Sequence, residues 1–173
     1  AVVIGAGAAG LTAAYDLFYE DGVQVKILEA SDRVGGRLKL SPTDFADFPI
    51  DLGGEWIHVN PSILDEITWD CPYQGETYPY KPEEYVEWNG NGWTEERLEG
   101  NDFRFRDGTW FDFFNDYIAT DLIDNDVVEF NCKVTKVEYS STPAKVTCSN
   151  GNSYQANHVV VTVPIPILKR GDI

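Results

Sequence analysis

Three glycines near the start of the chain, Gly5, Gly7 and Gly10, carry its first chemical signal. They follow the apolar run Ala1-Val2-Val3-Ile4 in the spacing G-x-G-x-x-G. In that spacing the first glycine permits a tight turn out of a strand. The second removes a Cβ from the path of a pyrophosphate, and the third lets the next helix pack closely on the strand. A helix opening at Ala9 and running to about Glu20 would aim its free N–H groups and positive dipole end at the phosphates. The pattern is completed by an acid about twenty residues further on. Glu29, closing the strand-like run 23–28, would accept both hydroxyls of an adenosine ribose. Gly35-Gly36-Arg37 then adds a loop able to lie against a ligand and a guanidinium fork suited to phosphate oxygens. These residues together read as a dinucleotide-binding βαβ unit.

No residue is nominated by spacing as an acid, base or nucleophile. Cys71, Cys132 and Cys148 are widely separated, and with only His58 and His158 they form no metal-ligand pattern.

The remaining sequence must build the frame for that unit. At 173 residues, 43% of them hydrophobic, the chain is long enough to bury one core with a partial second layer. Its 13 basic and 29 acidic residues leave a net charge of −16, which argues against nucleic acid or an anionic membrane as partner. An acidic surface suits cationic partners such as amines, and equally suits simple solubility. No apolar run reaches the length of a membrane span. With no Met, and with a strand at its first residues, the sequence reads as part of a longer chain.

Asn60-Pro61-Ser62 predicts a capped short helix, Asn60 at the N-cap and Pro61 at the first helical position. Residues 69–100 change character: Trp69, Tyr73, Tyr78, Tyr80, Tyr85, Trp88 and Trp93 are interleaved with Pro72, Pro79, Pro82 and glutamates. Residues 85–93 predict a hairpin turning at Asn89-Gly90-Asn91-Gly92. The aromatics there suit either a cation–π cage for an amine or plain packing. Phe103 to Phe105 and Gly108-Thr109 predict an entry turn, and 110–119 an amphipathic helix with Trp110, Phe113, Phe114, Tyr117 and Ile118 inward. Strands are expected over 127–130, 133–139 and 145–148, then a turn at 149–152 and a hairpin partner at 154–156. The β-branched run 158–163 predicts a strand buried in a parallel sheet, stopped by Pro164 and Pro166.

Three motifs in order, G-A-G-A-A-G-L, E-A-S-D-R-V-G-G-R and Asp51-Leu52-Gly53-Gly54-Glu55-Trp56-Ile57-His58, resemble the flavin-containing amine oxidase family. That family includes monoamine and polyamine oxidases, flavin-type histone demethylases and L-amino-acid oxidases. The resemblance implies FAD as cofactor, with Gly5, Gly7 and Gly10 along the pyrophosphate, Glu29 on the adenosine ribose and Arg37 on the phosphates. Many relatives place an arginine two residues after the acid; Ser31 here would weaken one contact. Gly53, Gly54 and Glu55 would pass beside the flavin ring, and Trp56 and Ile57 would begin the wall of a substrate cavity. His58 falls where polyamine-oxidising relatives carry a histidine or glutamate near the substrate. A cavity-lining His58 is the expectation, against a strand-end histidine satisfied by hydrogen bonds.

The stretch from Cys132 to Pro164 resembles a further family segment, in which the valine matching Val134 meets adenine through its backbone. Thr162, Val163 and Pro164 would pass near the cofactor. The implied fold is α/β: a Rossmann-like FAD-binding domain with a parallel sheet plus a β-hairpin or meander, over residues 1–58 and 120–173. Residues 59–119 would form a partial, aromatic-rich substrate lobe and the return helix. The implied activity is two-electron oxidation of a C–N bond in an amine or amino acid to an imine, with hydride transfer to flavin and release of hydrogen peroxide. A noncatalytic relative serving as a structural or assembly partner is the alternative. Another dinucleotide-fold oxidoreductase is disfavoured by the motif at 53–58. The lysine, aromatic cage and second glycine motif of the family's C-terminal part have no counterpart in this sequence.

Overall fold

The computed structural model describes residues 1–41, 47–48, 50–68, 71–80, 85–96 and 102–173. Trp69 and Pro82, among the aromatics and prolines noted above, lie outside these residues.

The apolar opening forms strand β1 (Val2–Ile4), every residue buried. Helix α1 (Ala8–Tyr15) follows and runs on as a π-helical turn over Asp16–Glu20, matching the expected helix. The chain returns as β2 (Lys26–Leu28), parallel to β1 in the register Val2–Lys26, Val3–Ile27, Ile4–Leu28. The strand expected over 23–28 is thus confined to its second half.

After a long loop come α2 (Ile63–Thr68), β3 (Thr77–Tyr80), the hairpin of β4 (Tyr85–Trp88) with β5 (Trp93–Glu96), and β6 (Asp102–Phe105), antiparallel to β3. The Asn60 side chain accepts from the N–H of Ser62 at 3.0 Å, so it does cap, but the helix begins at Ile63. Phe103 lies in a strand, not an entry turn: its N–H and carbonyl both bond to Ile57 at 2.9 Å.

Helix α3 (Trp110–Phe114) is capped by Thr109, whose Oγ1 accepts from the N–H of Asp112 at 3.1 Å. It continues as a π-helical turn (Asn115–Ala119) into α4 (Thr120–Asp124). Then follow β7 (Val128–Glu129), the meander β8 (Val134–Glu138), β9 (Ala144–Cys148) and β10 (Ser153–Ala156), β11 (Val159–Val161) and α5 (Ile165–Arg170).

The parallel sheet has the order β11-β1-β2-β7, and the meander the order β10-β9-β8. Alternation along each strand decides what each face meets. Val3 and Ile27 face one core with Leu11 and Ala14 of α1, Phe113, Ile118 and Leu122. Val2, Ile4 and Leu28 face a second core with Val134, Val146, Cys148 and Ala156 of the meander. Helices therefore cover one face of the sheet and the meander the other.

One expectation about the sheet is corrected. The run 158–163 is an edge strand rather than a buried one. Val161 is 42% exposed, because β11 has β1 on one side and, among the described residues, no strand on the other. The sequence left the cysteines unassigned: Cys132 and Cys148 are bridged inside the second core, while Cys71 is free and exposed. Among the described residues no helix is long and apolar enough to cross a membrane.

Candidate functional site

The glycine loop leaves β1 through Gly5 at φ +102°, a conformation that favours glycine, with its N–H on the Leu28 carbonyl at 3.0 Å. A Cβ at Gly10 would fall 1.9 Å from the carbonyl oxygen of Gly5. Only glycine there lets α1 dock on the end of β1. Gly7, the N-cap of α1, behaves differently: a Cβ would meet nothing within 4 Å. Its missing side chain is not required by the packing of this chain, and leaves open space beside the first helical N–H groups.

Glu29 lies at the end of β2, half-buried, with its carboxylate reaching back to the loop. Oε2 accepts from the N–H of Ala6 at 2.8 Å, and Oε1 from the N–H and Oγ of Ser31 at 2.9 and 2.7 Å. Oε1 is thereby saturated, and Oε2 keeps one lone-pair site for a further donor. Ser31, expected only as a weaker ligand contact, here steers the carboxylate.

Residues 35–37 close over the same loop. Gly35 donates to the Ala6 carbonyl at 2.8 Å, and Gly36 lies so near Gly7 that a Cβ would sit 3.2 Å from the Gly7 Cα. Arg33 holds this turn, donating to the carbonyls of Val34, Gly36 and Leu38 at 2.9, 2.7 and 3.2 Å. The sequence reading missed that role, which depends on where the carbonyls of this turn point. Arg37 is exposed and, among the described residues, its guanidinium has no ion pair or hydrogen bond.

The third motif rests directly on the second. A Cβ at Gly53 would fall 1.9 Å from the Arg37 carbonyl oxygen, and one at Gly54 would lie 3.1 Å from the Leu38 side chain. Beyond them Trp56 is fixed by its carbonyl, which accepts from Trp110 Nε1 at 3.1 Å. Its ring meets Tyr80 with centroids 4.6 Å apart. Arg104 places its guanidinium 5.6 Å from the Trp56 ring and 5.0 Å from the Tyr80 ring, and pairs with Glu55. Two aromatics and a carboxylate thus surround an organic cation, which belongs to the chain itself.

His58 is exposed, its Nδ1 3.0 Å from Asp102 Oδ1. Asp51, at the head of this motif, has one buried oxygen without a hydrogen-bond partner among the described residues. Burial, then repulsion from Glu55 and Asp112, pushes its carboxyl up to about 6 despite the opposing Arg104. Tyr73 serves packing, against Phe105, Phe113 and Tyr117. Trp88 and Trp93 meet edge to face across the hairpin and remain exposed. Val134 is buried between sheet and meander, opposite Cys148.

The family model for flavin containing amine oxidoreductases matches residues 8–92 and 91–172. The chain belongs to that family. Among its relatives, polyamine oxidase 2 of Arabidopsis thaliana is 45% identical over 58 residues, covering 33% of this chain and 11% of that protein. A pseudooxynicotine dehydrogenase of Pseudomonas sp is 41% identical over 68 residues, covering 39% of this chain and 13% of that protein. A solved structure of wild-type putrescine oxidase bound to putrescine superposes with a TM-score of 0.71 at 18% identity, covering 98% of this chain and 59% of that one. The chain therefore shares the fold of that oxidase and spans about three-fifths of its length.

Proposed function

We infer that this chain is the FAD-binding part, with a piece of the substrate lobe, of an enzyme that oxidises a C–N bond in an amine. Residues 1–58 and 120–173 would hold the cofactor, and 59–119 would contribute to the substrate side. The residues present fit a dinucleotide. Gly7 leaves open space at the helix N-terminus, the Glu29 carboxylate is oriented with one Oε2 lone pair free, and the Arg37 guanidinium has no hydrogen bond or ion pair among the described residues. Gly5, Gly7 and Gly10 would line the pyrophosphate, Glu29 would take the ribose, Arg37 the phosphates, and Val134 the adenine. When bound, FAD supplies the two-electron acceptor; the protein binds, orients and excludes competing reactions.

The observation that carries this reading is the backbone contact of Gly53 with Arg37. It joins the phosphate side of the site to Glu55, Trp56 and His58, so a ligand lying along the glycine loop would run toward the Trp56 wall. That wall already accommodates a guanidinium, the chemistry an amine substrate needs.

Titration of the full-length apoprotein with FAD, followed by flavin fluorescence, tests the assignment. Binding that weakens at least about tenfold in Gly7→Ala, with the fold intact, is expected, since the added methyl occupies space only a ligand uses. Equal binding by native protein and Gly7→Ala would contradict it.

A further inference from the structure

A disulfide lies directly behind Glu29, where the parallel sheet hands the chain to the meander. Cys132 donates its backbone N–H to the Glu29 carbonyl at 2.8 Å, and the Glu29 N–H bonds to the Glu129 carbonyl at 2.9 Å. Asn131, at φ +55°, gives its N–H to the Ser31 carbonyl at 2.9 Å. The main chain of Glu29, and of the serine that steers its carboxylate, is therefore held from one side by residues 129–132.

Sheet pairing ties that stretch weakly. β7 contributes only Val128 and Glu129 to its ladder, and the β8–β9 register slips between Val134 and Lys136. The Cys132–Cys148 bridge instead anchors the stretch to β9 from inside the second core, its two residues 0% and 2% exposed. Ser149 N–H to the Lys133 carbonyl at 2.8 Å, and Asn150 Nδ2 to the Asn131 carbonyl at 3.2 Å, lie on the same side.

We propose that the Cys132–Cys148 disulfide is a positioning element of the dinucleotide site, fixing residues 129–132 and through them the Glu29 carboxylate that faces the adenosine ribose. The inference rests on the FAD reading above. The cysteines touch no ligand. They act on a carboxylate that must be held to within about 0.5 Å to present its remaining Oε2 lone pair to a ribose hydroxyl. A disulfide that merely stabilised the fold would leave ligand affinity unchanged in folded protein.

The test uses the full-length protein with Cys132→Ala and Cys148→Ala together, and FAD and ADP as separate probes. Peptide mapping without reductant should first return the Cys132 and Cys148 peptides linked in the native protein. With circular dichroism unchanged at the assay temperature, losing the bridge should raise the Kd of FAD and of ADP alike by about tenfold, the scale of one charge-assisted hydrogen bond. In a Glu29→Gln background the same pair should change either Kd by less than about twofold, because the group it acts through is gone. Should the alanine pair not fold, Cys132→Val with Cys148→Ala, which refills the sulfur volume, takes its place with the same expected readings.

Unlinked peptides, an unchanged ADP Kd in folded protein lacking the bridge, or an undiminished effect in the Glu29→Gln background would each overturn the proposal. Native, disulfide-linked protein that binds neither FAD nor ADP would overturn the FAD reading instead.

Discussion

Glu29 and Ala6 come from opposite ends of the βαβ unit, and the hydrogen bond between them turns a strand-end acid into part of the phosphate loop. Replacing the carboxylate by an amide in Glu29→Gln keeps the shape but removes the charge and one acceptor. The Kd for FAD should rise about tenfold or more, and because the amide NH2 must face the N–H of Ala6 or of Ser31, stability should fall by about 1–3 kcal/mol. The glycines divide by what surrounds them. Gly7→Ala should spare stability and lose FAD, whereas Gly10→Ala must push the helix off the Gly5 carbonyl and should cost at least about 3 kcal/mol, read as a fall in melting temperature.

Asp51 gives a pH signature. Its carboxyl titrates higher in the folded chain, at about 6, than the usual 3.8. Such a group favours the fold below its unfolded value, and that contribution is lost as pH rises through the folded value. Asp51→Asn and native protein should therefore melt alike near pH 4, and the variant should be more stable above about pH 6. The expected gain is on the order of 1 kcal/mol once screening by nearby water is allowed for. Equal melting at both pH values would contradict this. At this scale the sequence displayed the glycines, Glu29 and Arg37 through their spacing. It hid Ser31 and Arg33, whose roles depend on where neighbouring carbonyls point.

At the scale of elements, the cores follow from alternation. Val3 and Ile27 turn to the helices, and Val2, Ile4 and Leu28 to the meander, so one short sheet supports both layers. The aromatic helix is the largest contributor on its side: Phe113 is 2% exposed and meets Tyr73, Phe105 and Trp110. Phe113→Ala should cost about 3–5 kcal/mol, measured by denaturant unfolding, by removing that ring from a packed cluster. The glycine motif made α1 readable in advance, and turn residues did the same for the hairpin over 85–93 and the one turning at 149–152, while strand-like runs of residues are ambiguous. β11 was misjudged, because a run of valines looks the same at the edge of a sheet as at its centre. The Cys132–Cys148 bridge was equally invisible, since pairing across a meander depends on register rather than spacing. Phe103 was misplaced because its partner, Ile57, is remote in sequence.

For the whole molecule, membership of the flavin amine oxidoreductase family and the shared fold of putrescine oxidase agree with the architecture built from its residues. Glu55, Trp56 and Tyr80 are already engaged by the chain's own Arg104. The most direct test of the account is the visible spectrum of the purified full-length protein, recorded without oxygen before and after adding a panel of mono-, di- and polyamines. The account predicts a flavin spectrum that bleaches with at least one amine and returns when oxygen is admitted. A protein that carries no flavin and takes up none when FAD is supplied would contradict it. A bound flavin that no amine bleaches would leave the FAD site standing and favour a noncatalytic role.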